Sequence, residues 1–190
     1  IKNLNCKPVF VDVDSSSLTI DCEDLQSKIT KQTKGILIVH TWGSPCNMDL
    51  ICDIVKKNNL KLVEDCSHAH GALYGDKKIG SFSNISCFSL QGNKSVAAGE
   101  GGIALTNDKE LFLKMSAYGH FNRHENDLNE YNNLNSFSKT GISKKLRAHP
   151  LGICLASVDL EYLDILNKYR NEIYNKLDKI FIKYNSINVT

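Results

Sequence analysis

Apolar and polar positions follow two rhythms along the first half of this chain. Residues 8–13 (PVFVDV) are rich in β-branched side chains and read as a strand. In residues 21–29, Leu25 and Ile29 stand four apart on one helical face. Residues 35–40 (GILIVH) form a continuous apolar run, the pattern of a strand buried on both faces. Residues 49–58 put Ile51, Ile54 and Val55 on one stripe and predict a helix, with Asp49 as its cap or first-turn acid. Residues 60–65 (LKLVED) are the next strand. The resulting βαβαβ order predicts a parallel α/β sheet with right-handed crossovers.

Beyond Asp65 the rhythm changes. Residues 85–90 (ISCFSL) and 102–106 (GIALT) read as two short strands, separated by a Gly- and Ala-rich stretch at 91–101. Residues 107–118 predict a helix with Asp108 near its start. Residues 122–145 are polar, rich in asparagine, and predict a long loop, either functional or a solvated excursion. From Pro150 to about residue 184 the chain reads as a long helix, intact or broken, whose charged stretch from Lys168 is a solvated face. The expected division is a large domain over 1–165 and, over 166–190, a helix leading towards a further domain.

Composition narrows the function. A hydrophobic fraction of 42% and a charged fraction of 23% suit a soluble globular domain. The net charge of +2 gives no basic excess for a nucleic-acid backbone. No apolar run is long enough to span a bilayer, and no signal-peptide pattern opens the chain, so a cytoplasmic setting is expected. Seven cysteines without a C-x-x-C pair argue against a disulfide framework and against a zinc site.

Open parallel sheets bind ligands beyond the carboxyl ends of their strands. Asp65 ends a predicted strand, placed for a ligand or for capping the next turn. Lys94 lies in the Gly- and Ala-rich stretch, with Ser89 five residues before it and Gly99-Glu100-Gly101-Gly102 after it. The glycines permit close backbone approach, but neither phosphate-loop nor dinucleotide spacing is present.

These pieces, taken in order, resemble a known family. Lys7-Pro8-Val9-Phe10-Val11-Asp12, Val63-Glu64-Asp65-Cys66-Ser67-His68-Ala69-His70-Gly71-Ala72, Gly80-Ser81-Phe82, Cys87-Phe88-Ser89, Lys94 and Gly99-Glu100-Gly101-Gly102 are similar to the DegT/DnrJ/EryC1/StrS aminotransferases. The resemblance runs on to Asp164. It implies the central part of a fold-type-I large domain, as in aspartate aminotransferase-like transferases dependent on pyridoxal 5'-phosphate (PLP). Its sheet would be mostly parallel and flanked by helices. Lys94 matches the lysine that bonds to the cofactor aldehyde. Asp65 matches the acid facing the pyridine nitrogen, and His68 a position near the 3-hydroxyl. Ser89 matches a phosphate-holding hydroxyl. Glu100 matches the turn glutamate, with a structural role at least as fitting as a catalytic one.

The resemblance also sets expectations for the reaction. A deprotonated lysine is needed for bonding to the aldehyde, and a carboxylate keeps the ring nitrogen protonated so that the ring accepts electrons. The implied activity is amino transfer from an amino acid, glutamate, to a nucleotide-linked keto sugar, by a homodimer with shared sites. Related sugar dehydratases carry His where Lys94 stands, which favours transfer here. A non-catalytic fragment or partner subunit, and dehydration, remain as alternatives. At 145–147 the chain has Lys-Leu-Arg where many members have Asn-Tyr-Arg; Lys145 can meet a phosphate as a point charge or serve as a surface lysine. Trp42 is expected at the mouth of the site or in packing. The family's upstream phosphate loop would precede Ile1 and its C-terminal domain would follow Thr190, so about half of a typical member is expected to be missing.

Overall fold

The computed structural model describes residues 1–120, 124, 127–128 and 143–183. Helix α1 (Cys22–Lys28) starts where the Asp21 carboxylate accepts from the backbone N–H groups of Glu23 and Asp24, at 2.8 and 3.0 Å. Strand β1 (Gly35–Val39) and helix α2 (Met48–Lys57) follow. Asn47, not Asp49, caps α2 by accepting from Leu50 N–H; Asp49 supplies charge in the first turn. Strand β2 (Lys61–Asp65) then lies parallel to β1, with Ile38 opposite Glu64 and Val39 opposite Asp65. A small antiparallel hairpin, β3 (Leu73–Tyr74) and β4 (Lys77–Lys78), turns over Gly75. Strand β5 (Ile85–Ser89) is parallel to β2, and β6 (Gly102–Leu105) runs antiparallel to β5. The sheet order is β1-β2-β5-β6, mostly parallel as expected.

Helix α3 (Lys109–Gly119) is capped by the Asp108 carboxylate, which accepts from Leu111 N–H at 3.0 Å. Helix α4 (Pro150–Ile182) is continuous over 33 residues, about 50 Å of rise, so the long-helix expectation holds without a break. His149 caps it, its Nδ1 accepting from Leu151 N–H, with Pro150 in the first turn where its missing N–H costs nothing.

Two expectations are corrected. No strand forms at 8–13: Val13 makes one isolated bridge to Ile20, and Phe10 is 85% exposed. The backbone there is satisfied locally instead, Asp12 N–H by the Asp24 carboxylate at 2.7 Å and Asp14 N–H by the Thr19 carbonyl at 2.8 Å. Strand β1 is not buried on both faces. Ile36 and Ile38 point into the core, while Leu37 and Val39 are 48% and 41% exposed, because no element among the described residues covers that side. The predicted loop at 122–145 lies largely outside the described residues.

The main core joins Leu25, Ile36, Ile38, Met48, Ile51 and Leu62 between the sheet and the helices α1 and α2. A second core joins Leu90 and Val96, on either side of Lys94, to Ala156 and Leu163 of α4. The first half of α4 is thereby fixed to the segment between β5 and β6. None of the helices among the described residues is long and apolar enough to cross a membrane.

Candidate functional site

Strands β1, β2 and β5 are parallel, so their carboxyl ends share one edge of the sheet. Asp65 closes β2 there, half-buried; its carboxylate accepts from Ser67 N–H at 3.0 Å. Ser89 closes β5 and receives Gln91 N–H on its hydroxyl at 3.3 Å. Lys94 sits in the turn that follows, half-buried, its N–H bonded to the Gln91 carbonyl at 2.9 Å. His68 is exposed at the same edge, where its Nδ1 accepts from Trp42 N–H at 3.4 Å. Neither Asp65 nor Lys94 enters an ion pair among the described residues. A half-buried carboxylate and a half-buried amine left unpaired at strand ends are suited to a ligand bearing complementary charge.

His70 ties this edge together. Its ring tilts against Phe88 at 5.4 Å between centroids, and its buried Nε2 has no hydrogen-bond partner among the described residues. Burial holds its imidazole below the usual range, against the influence of the nearby Ser89 backbone, and the charges of Lys94 and His68 push the same way as burial. Beyond Lys94, Gly99 and Gly101 take φ values of +80° and +150°, backbone conformations that suit glycine and shape the return turn into β6. Trp42 adopts φ +52° and its side chain is 77% exposed, so it is not packed among the described residues.

Four of the five expected residues, Asp65, His68, Ser89 and Lys94, therefore fall on one edge. Lys145 belongs to a separate stretch. It lies at φ +51° in an exposed stretch pinned to the end of α3, with Lys144 N–H on the Tyr118 carbonyl at 3.0 Å and Leu146 N–H on that of Gly119 at 2.7 Å. An apolar hollow of about 580 Å³ borders the same segment, lined by His70, Phe88, Val96, Ile103 and Leu160 among others, and none of the five residues lines it.

Directly beneath the edge is a knot that sequence reading missed. His40 and Glu64 are fully buried, with Nε2 and Oε2 3.1 Å apart. Glu64 also accepts from Gly80 N–H at 2.9 Å, Phe82 N–H at 3.1 Å and Ser83 N–H at 2.9 Å. Burial pushes its carboxyl up, but the bonds from His40, Gly80 and Ser83 outweigh this and hold it below 4.5. His40 Nδ1 accepts from Cys46 N–H at 3.1 Å, so Nε2 carries the hydrogen given to Glu64. Cys66 lies close by, its thiol pushed up to about 12 by burial and by the charges of Glu64 and Asp65. With those lone pairs engaged and the thiol protonated, the trio is a structural knot and not a vacant cation site. The signal was available: His40 continues the buried phase of Ile36 and Ile38, and Glu64 that of Leu62.

The fold and this edge define an α/β domain whose lysine-bearing turn follows a parallel strand neighbouring an acid-tipped one. The sequence matches the profile of the DegT/DnrJ/EryC1/StrS aminotransferase family over residues 1–190, and the chain belongs to that family. It is similar to GDP-perosamine synthase of Escherichia coli O157:H7, 44% identical over 59% of this chain and 31% of that protein. It is also similar to dTDP-3-amino-3,6-dideoxy-alpha-D-galactopyranose transaminase of Aneurinibacillus thermoaerophilus, 37% identical over 87% of this chain and 43% of that one. Among solved structures, GDP-4-keto-6-deoxymannose-3-dehydratase with a trapped PLP-glutamate geminal diamine superposes with a TM-score of 0.71. Its sequence identity is 28%, over 82% of this chain and 42% of that one. The chain thus spans less than half the length of the curated relatives it matches.

Proposed function

We propose that this chain is the cofactor-bearing part of a PLP-dependent aminotransferase that moves an amino group from glutamate to a nucleotide-linked keto sugar. The observation that carries the reading is the meeting of unpaired Asp65 and Lys94, with Ser89 and His68, at the carboxyl ends of β2 and β5. The residues fit the group: an amine for its aldehyde, a carboxylate for its ring nitrogen, a hydroxyl for its phosphate. PLP supplies an aldehyde and an electron-accepting ring when bound.

In this reading Lys94 Nζ holds the cofactor and, once released, carries a proton to and from the reacting carbon. Asp65 keeps a proton on the ring nitrogen facing it. His68 faces the 3-hydroxyl, and the Ser89 hydroxyl holds phosphate. Lys145, far from these along the chain, meets the phosphate of a second subunit's site, so the working unit is a cytoplasmic homodimer with shared sites. Residues 166–190 lead from the large domain over 1–165 towards a C-terminal domain. The family membership supports transfer chemistry, and Lys94, where related dehydratases have His, favours it over dehydration.

The test is borohydride reduction of the purified protein after incubation with PLP, followed by peptide mass analysis. Cofactor fixed on Lys94, and none on the Lys94→Ala variant, is the expected result. Wild-type protein that fixes none on Lys94 overturns the reading.

A further inference from the structure

The turn bearing Lys94 is closed at its neck by backbone alone. Ala98 N–H donates to the Leu90 carbonyl at 2.7 Å, and Leu90 N–H to that of Gly101 at 2.9 Å. Within the turn, Gln91 receives Lys94 N–H on its carbonyl and, at 3.3 Å, Asn93 N–H on its side chain. These bonds are local to the turn, and apolar packing of Val96 and Ala98 on α4 is what they leave to hold it against the helix.

Besides that packing, one polar side chain of α4 bonds into the turn among the described residues. Asp159, ten residues into α4, accepts from Ala97 N–H at 3.0 Å, 62 positions away in the chain. Around it α4 presents small or apolar residues at helical spacing. Gly152 lies so close that a Cβ would meet the Ala98 carbonyl oxygen at 2.5 Å, and Ala156 and Leu163 are buried against Leu90 and Val96. Asp159 makes no ion pair among the described residues, so its charge acts on that amide, in a bond stronger than a neutral one.

We infer that Asp159 is a positioning residue for Lys94: its carboxylate ties the turn to α4 and keeps the Lys94 amine directed to the strand ends. This rests on the reading that Lys94 carries the cofactor. The tether acts three residues beyond Lys94, so its loss loosens the lysine's own turn at that point while the neck bonds and the packing of Val96 on α4 remain. What the fixed point supplies is pre-organisation, and its absence is felt as weaker capture of the cofactor.

The experiment compares wild type, Asp159→Ala and Asp159→Asn in the purified protein, by PLP titration and by amide exchange. Asn keeps an oxygen acceptor and loses the charge. Asp159→Ala is expected to weaken PLP binding about tenfold, the scale of one charge-assisted hydrogen bond, and to speed exchange at Ala97. Asp159→Asn is expected to recover most of the affinity. Equal affinity in wild type and Asp159→Ala, both folded by circular dichroism, overturns the inference, as does an Asn variant no better than Ala. If Asp159→Ala does not fold, exchange at Ala97 in wild type decides: protection supports the tether and free exchange overturns it. Failure of the functional reading looks different, as wild-type protein that takes up no PLP on Lys94. In that event equal exchange at Ala97 in wild type and Asp159→Ala overturns the tether, and faster exchange in the variant supports it.

Discussion

Glu64 shows how a single carboxylate can set the geometry of an edge it does not face. Its two oxygens receive four hydrogen bonds, one from the β1 side and three from the turn after β4. Glu64→Ala leaves those donors buried without partners, so a loss of about 3–5 kcal/mol is expected by urea unfolding. The pH dependence follows from the same bonds. The folded carboxyl sits below the ordinary 4.5, so the unfolded chain takes up the proton first. This contribution is whole above the ordinary value and is lost as pH falls through the lower folded one. Glu64→Gln should therefore be less stable than wild type at neutral pH and show a shallower loss on acidification. An unchanged acid limb would remove Glu64 from this role.

At the scale of elements, the close approach of backbones at Gly152 and Ala98 is part of what seats α4 on the Lys94 turn. Replacing glycine by alanine inside a helix ordinarily gains about 0.5–1 kcal/mol. At Gly152 the added Cβ would meet a carbonyl oxygen at 2.5 Å, and main chain cannot give way as a flexible side chain does. The clash should win, with Gly152→Ala destabilising by about 1–3 kcal/mol in thermal unfolding. A gain in stability would mean that the helix and turn are looser than this.

The strand-helix order of β1, α2, β2, β5, β6, α3 and α4 was legible because each carries its period or cap in local sequence. Asp65, Ser89 and Lys94 were legible as an ordered set through the family resemblance, and strand order alone left Asp65 between a ligand and a cap. What was not legible depends on long-range pairing. Residues 8–13 have strand composition but no partner strand among the described residues, and composition alone cannot supply one. The hairpin at β3 and β4 is too short to show a period. The Asp159 tether spans 62 positions and leaves no local mark, because an acid in an amphipathic helix reads as a solvated face until the partner amide is located.

For the whole molecule, both outer strands of the sheet are bare. Among the described residues β1 and β6 each pair on one side only, and Leu37, Val39, Ile103 and Leu105 are exposed on them. Beside β6 lies the apolar hollow against α4. Unpaired apolar strands are templates for further pairing. The chain is expected to self-associate with rising concentration in light scattering, and Leu37→Lys with Ile103→Lys to reduce this; scattering that stays flat in wild type would contradict it. The consequence reaches into how much of this polypeptide a cell can tolerate. A surface that stays benign only while covered makes dosage a constraint, because each copy in excess of what shields it adds to the load on chaperones and proteases.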